Sequence, residues 1–149
     1  MNALGMAGHL IRRLHQISAQ VFMQRTQEAG FDLTPVQFAA LDAIASQPGI
    51  DQARVAAAIG YDRATIGGVI DRLEQKGYLS RRVSKQDRRA REVRLTEMGQ
   101  QVFNDALPIV TALQDEILPG LDPAEREAFL KLARKAIAAP ADDTLPGQA

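Results

Sequence analysis

Apolar residues recur along most of this chain at the i, i+3, i+4 spacing of amphipathic helices. Leu10, Ile11, Leu14, Ile17, Val21 and Phe22 mark a long helix from about Leu4 to Glu28, which Gly30 ends. Thr34 is placed as an N-cap, Pro35 takes the first helical position, and Gln37 completes a capping box. Phe38, Leu41, Ile44 and Ala45 form that helix's apolar face, and Gln47-Pro48-Gly49 breaks it. Asp51 caps a short helix, Gln52 to Ile59, with Val55, Ala56 and Ile59 inward and Gly60 at its end. Asp62 opens the next, which runs to about Lys76 on a stripe of Ile66, Val69, Ile70 and Leu73, with Gly77 just past it. The period then changes. Tyr78 to Val83 and Arg91 to Leu95 read as strands joined by a polar turn, Ser84 to Ala90. Thr96 caps a second long helix to about Leu118, carrying Val102, Phe103, Ala106, Ile109, Val110, Leu113 and Ile117, and Pro108 is expected to kink it. Asp122 and Glu125 open a last helix with Phe129, Leu132 and Ile137. From Ala138 onward the tail is expected to be disordered.

Charge adds what periodicity does not. Residues 60–95 hold ten basic side chains against five acidic ones, a net of +5. Residues 1–59 balance, and residues 96–149 carry four basic and nine acidic groups, a net of −5. The neutral total hides a basic middle. On charge alone, a polyanion-binding face and a solvated, salt-bridged hairpin are equally good readings. Shape favours the first. The face of the 62–76 helix opposite its apolar stripe carries Arg63, Thr65, Gly67, Gly68, Asp71 and Arg72, small and polar enough to enter a major groove. Beside it lies a hairpin tipped by Asp87, Arg88 and Arg89, with Lys85 and Arg91 on its flanks, suited to phosphates or the minor groove. A short helix, a glycine turn, a second helix and a basic wing make a winged helix-turn-helix. The fold class is therefore mainly α with a small β-hairpin wing.

Two glycines bear on this face. Gly67 and Gly68 each cost roughly 1 kcal/mol of helix stability relative to alanine. Close packing against a neighbouring helix would explain them; so would a bare backbone lying against DNA. The second reading is favoured because both lie off the apolar stripe.

The outer helices, about 4–29 and 97–137, carry more apolar stripe than a winged core over about 33–96 can cover. A homodimer is the simplest closed solution. Two recognition helices about 34 Å apart would then read an inverted repeat. Residues 1–137 are read as one domain and 138–149 as a flexible tail.

Length, 149 residues, fits one such domain with appended helices. No run of about 18 apolar residues exists, so no membrane span is expected, and the start lacks signal-peptide order. A cytoplasmic protein is expected. The absence of cysteine excludes disulfides and thiolate chemistry. Enzymatic chemistry finds no support. His9 and His15 are about 240° apart around a helix and cannot form a metal pair. No Cys/His cluster, phosphate-cradling glycine loop or Ser-His-Asp spacing is present. No cofactor or metal is expected.

Four segments carry a family resemblance: LTPVQF at 33–38, VAAAIGYDRAT at 55–65, VIDRLEQKGYL at 69–79 and, most specifically, DRRAREVRLT at 87–96. The chain resembles the MarR (multiple antibiotic resistance regulator) family over about residues 9–137. The resemblance implies a winged-helix dimer that represses, or less often activates, genes. It implies that Arg89 inserts into the minor groove and that Asp87 holds that arginine in place. Arg63, Thr65 and Arg72 match base- or phosphate-contacting positions, while Gly67 and Gly68 replace larger residues common there. It further implies an effector pocket between the dimerisation helices and the DNA-binding lobe, often taking aromatic or phenolic acids. Candidates for it are His9, Arg12, Arg13, His15 and Gln16, with Phe38 or Phe103 as an aromatic wall. An arginine there suits a carboxylate. The chain also resembles regulators of aromatic-acid or nicotinate catabolism. The expected function is a repressor released by such an acid. The alternative is a winged-helix interaction or architectural module without effector control.

Overall fold

Short polar residues set the helix starts. In a computed structural model that describes residues 2–139, the Thr34 hydroxyl accepts the Gln37 backbone N–H at 3.2 Å and the Gln37 side chain accepts the Thr34 N–H at 3.1 Å, closing the capping box. The carboxylates of Asp51 and Asp62 accept the N–H groups of Arg54 and Thr65 at 2.8 and 2.7 Å. Each satisfies donors that a helix start leaves unpaired.

Among the described residues, six α-helices and one hairpin follow from these starts: α1 Ala7–Glu28, α2 Pro35–Ser46, α3 Gln52–Ile59, α4 Arg63–Gln75, β1 Leu79–Val83, β2 Arg91–Leu95, α5 Glu97–Leu113 and α6 Pro123–Ala138. The strands pair antiparallel, with Leu79 opposite Leu95 and Val83 opposite Arg91. A third, minimal edge joins β2: Gly49 N–H donates to Val93 O at 3.0 Å and Val93 N–H to Ile50 O at 2.9 Å. The hairpin is thereby anchored to the segment that enters α3.

Three boundaries differ from expectation. Leu4 belongs to a 3-10 turn, Ala3–Gly5, and extended Met6 separates that turn from α1. Asn2 caps the turn by accepting the Leu4 N–H, so the chain closes one short turn before it begins another. At the other end α5 stops at Leu113 and continues as a 3-10 turn, Gln114–Glu116, rather than running to Leu118; it passes through Pro108 before that. Tyr78 lies just outside β1.

Described residues fall into two units, one ending at Ile117 and one beginning at Leu118. In the first, Leu33, Leu41, Ile44, Val55, Ile66, Ile70, Leu73, Leu79, Val93 and Phe103 form a core from α2, α3, α4, the hairpin and α5. Phe22, Val110 and Leu113 form a second cluster between α1 and α5. The second unit holds α6, opened by a capping box in which Asp122 accepts the Glu125 N–H at 2.8 Å; none of its described residues is buried. Residues 140–149 of the expected tail lie outside the described residues.

One contact governs the junction between wing and α5. A β-carbon on Gly99 would collide with the backbone carbonyl of Tyr78. The Thr96 hydroxyl donates to Gly77 O at 2.6 Å and accepts the Gly99 N–H at 3.0 Å, while Thr96 N–H donates to Tyr78 O at 3.1 Å. The first turn of α5 thus lies directly against the backbone that leaves α4.

Candidate nucleic-acid interface

The stripe Ile66, Ile70 and Leu73 is buried and fixes which face of α4 looks out. Arg63, Thr65, Gly68, Asp71 and Arg72 are exposed; Gly67 is half-buried. Nothing lies within 4 Å of where a Gly68 β-carbon would stand, and a Gly67 β-carbon would meet only the Gln52 side chain at 3.6 Å. No neighbouring helix requires either glycine. Hydrogen bonds from Thr65 hold the Asp62 carboxyl below its usual range, so the cap is ionised at the helix start.

The wing turn is braced from within. Ser84 is buried; its N–H donates to Ala90 O at 3.1 Å, and its hydroxyl accepts the N–H groups of Gln86 and Asp87 at 3.2 and 3.3 Å. Asp87 Oδ1 accepts the Arg89 backbone N–H at 3.0 Å. Asp87 therefore meets Arg89 through the main chain, as a carboxylate two residues upstream readily does. Lys85, Arg88, Arg89 and Arg91 are exposed around this turn.

Arg94 lies over Gly49, and contacts divide the other nine basic residues of this stretch into two groups. Arg81 pairs with Asp71 at 2.7 Å and Glu74 at 2.9 Å, Arg82 pairs with Glu92 at 3.1 Å, and Lys76 donates to Asp32 O at 2.6 Å. Among the described residues Arg63, Arg72, Lys85, Arg88, Arg89 and Arg91 make no ion pair. Every cation nominated from sequence is in this second group. Three of them, Arg63, Arg89 and Arg91, line one groove of about 230 Å³ between the start of α4 and the wing, with Asp51, Gln52 and Ala53 of the α3 start opposite. A phosphate chain entering it would meet cations from two elements. Ser84 and Arg81 were missed by sequence reasoning: a turn serine and a strand arginine look ordinary until their partners are known.

A second cleft, about 300 Å³, lies within the first unit between α1, α2 and α5. Phe22, Pro35, Phe38 and Val110 give it apolar walls; Ser18, Asp42 and Gln114 add polar atoms. Phe38 packs tilted on Phe22 at 6.2 Å and stacks on Phe103 at 5.6 Å between ring centres. Phe38 thus faces the cleft, while Phe103 backs it from the core. The α1 candidates do not line it. His9 Nδ1 lies 3.1 Å from Arg12, Arg13 donates to Gln16 at 3.0 Å, and Arg12, Arg13, His15 and Gln16 are exposed on the first half of α1.

The sequence pattern of the MarR family matches residues 31–90, the span of α2 through the wing turn. The transcriptional regulator HosA of Escherichia coli is 36% identical over 127 residues, covering 83% of this chain and 93% of HosA. The HTH-type transcriptional repressor NicR of Pseudomonas putida is 32% identical over 130 residues, covering 87% of this chain and 81% of NicR. Among solved structures, Bordetella bronchiseptica BpsR, whose DNA binding is regulated by 6-hydroxynicotinic acid, superposes with a TM-score of 0.85 at 32% identity, covering 94% of this chain and 99% of BpsR.

Proposed function

Because this chain belongs to the MarR family and is a transcriptional regulator of that type, we propose that it binds an inverted-repeat operator as a homodimer and represses until a small aromatic acid releases it. The observation that carries the DNA-binding part is the groove shared by Arg63, Arg89 and Arg91. Thr65, Gly67, Gly68 and Arg72 of α4 face the major groove in this reading. Lys85, Arg88 and Arg91 meet phosphate, Arg89 enters the minor groove, and Asp87 holds the turn from which it projects. Dimerisation is supported by apolar side chains exposed on two segments: Leu4, Met6, Leu10 and Ile11 near the start, Leu130, Leu132 and Ile137 on α6. Residues 1–137 work as one domain, and the protein acts where operator DNA is, in the cytoplasm.

The effector reading rests on the Phe22–Phe38 cleft and on the ligand of BpsR, an aromatic acid. An aromatic ring packs on Phe38. Asp42 disfavours a carboxylate at its end of the cleft, so the acid group points away from it. His9, Arg12, Arg13, His15 and Gln16 serve a cleft of the second copy, since the exposed half of α1 is free to reach it.

Anisotropy on DNA upstream of the protein's own gene, against scrambled duplex at physiological salt, tests this, followed by titration with 6-hydroxynicotinic acid and related acids. Preferential binding abolished by one acid is the expected result. Binding that no acid alters removes the effector part and leaves a constitutive DNA-binding module.

A further inference from the structure

Arg81 is the least exposed arginine of the wing. It sits in the middle of β1, opposite Val93, and its side chain is only 24% exposed. Its guanidinium engages two other elements, α4 and α3. Nη2 meets Asp71 at 2.7 Å and Glu74 at 2.9 Å, Nε donates to Glu74 at 3.3 Å, and Nη1 points to Gln52 of α3 at 3.5 Å. Asp71 and Glu74 are one helical turn apart on α4, so one planar fork spans both. The hydrogen bond from Arg81 also holds the Glu74 carboxyl below its usual range.

This cluster resolves an oddity of the α4 surface. Asp71 and Glu74 put negative charge on the element that faces a polyanion. As unshielded charges they would repel phosphate and weaken binding. Arg81 neutralises part of that charge, and in return the two carboxylates occupy the fork that would otherwise be available to DNA.

We propose that Arg81 is a positioning residue that clamps the wing to the recognition helix through Asp71 and Glu74 and makes no phosphate contact itself. The inference rests on the operator-binding reading above. The buried base of the hairpin stays tied to the α3 entry through Val93, but without the clamp the outer wing is held less tightly against α4, and the groove cations arrive at DNA in more arrangements. Ordering them on binding then lowers affinity.

The salt dependence of binding separates a clamp from a contact. A residue that neutralises a phosphate contributes about 0.9 to the slope of log affinity against log salt concentration; a clamp contributes none. The probe is the best 30-base-pair duplex that the wild-type full chain enriches from a randomised pool. Arg81→Gln is expected to weaken binding on the order of tenfold with the wild-type slope, whereas Arg91→Gln lowers the slope by about 0.9. Asp71→Asn combined with Glu74→Gln is expected to weaken binding as well, although it removes negative charge. Adding Arg81→Gln to that pair should change affinity less than about twofold, as expected of residues acting through one contact. If Arg81→Gln does not fold, the sign of the Asp71→Asn, Glu74→Gln effect decides. Tighter binding by that pair, or a slope lowered by Arg81→Gln, overturns the proposal. No enrichment by the wild-type chain overturns the operator reading with it; enrichment with an unaffected Arg81→Gln overturns the clamp alone.

Discussion

Asp87 Oδ1 accepts the backbone N–H of Arg89 at 3.0 Å, while the Arg89 guanidinium makes no ion pair among the described residues. The carboxylate fixes where the arginine leaves the wing and does not neutralise it. Ser84, buried beneath the same turn, fixes the other side. A cation set on a braced turn needs little reordering to reach a groove.

Arg89→Ala should therefore weaken operator binding by about 1–3 kcal/mol, the range of one well-placed arginine contact. Thermal stability should stay at the wild-type value, since the side chain is exposed and makes no hydrogen bond or ion pair among the described residues. Asp87→Ala should cost less, because the cation survives and only its starting point loosens. Anisotropy titrations of both variants, beside melting curves, measure this. Equal binding by wild type and Arg89→Ala would remove the wing from the interface.

Gly68 stands in open space on the exposed face of α4. Gly68→Ala should raise stability by roughly 0.5–1 kcal/mol, the ordinary helix-propensity gain. In the same variant operator affinity should fall, because a methyl group would stand between helix backbone and DNA. Urea melts and binding curves on one preparation give both numbers. Gain in stability without loss in affinity would place DNA elsewhere on the helix.

At Gly99 the expectation is reversed. No methyl group fits against the Tyr78 carbonyl, so Gly99→Ala must push α5 away from the wing. A loss of about 1–3 kcal/mol in denaturant unfolding is expected, as for other overpacked sites. Wild-type stability in that variant would show the junction to be soft.

Arg25 joins α1 to the 3-10 turn that follows α5: Nε donates to Glu116 at 2.9 Å, and Nη1 pairs with Glu28 at the same distance. The hydrogen bond from Arg25 lowers the Glu116 pKa from its ordinary value of 4.5. A carboxyl whose folded pKa is depressed adds stability above its unfolded pKa and loses it as pH falls through the folded one. The wild type should be more stable than Arg25→Ala at pH 7, and the gap should narrow as pH drops below about 4.5. Both groups are exposed, so high salt should narrow it too. Melting temperatures across pH at two salt concentrations check the sign.

Local signals in the sequence located most of the elements. Thr34, Asp51, Asp62, Thr96 and Asp122 each cap the helix they were expected to cap, because a cap needs only residues two or three positions away. The second strand likewise lies where it was expected, Arg91 to Leu95. What stayed illegible depends on distant partners. Leu4 carries a good helical pattern, yet Asn2 closes a separate turn around it. The count of basic residues could not tell that Arg81, Arg82 and Lys76 are committed to internal carboxylates and carbonyls while Arg63, Arg89 and Arg91 share a groove. The family resemblance likewise offered Phe38 and Phe103 as equivalent walls of an effector pocket, and only the fold puts one at a cleft and the other behind it.

The seam between Tyr78 and Gly99 limits how the protein can be rebuilt. A chimera that borrows another regulator's recognition helix and wing, spliced at Thr96, would carry a foreign backbone carbonyl onto the first turn of α5. Because Gly99 stays with the host helix in such a graft, that carbonyl still finds room, whatever the operator it was meant to read. The reverse graft is the restricted one: this recognition helix and wing can be moved only onto a scaffold whose long helix also carries glycine at its third residue.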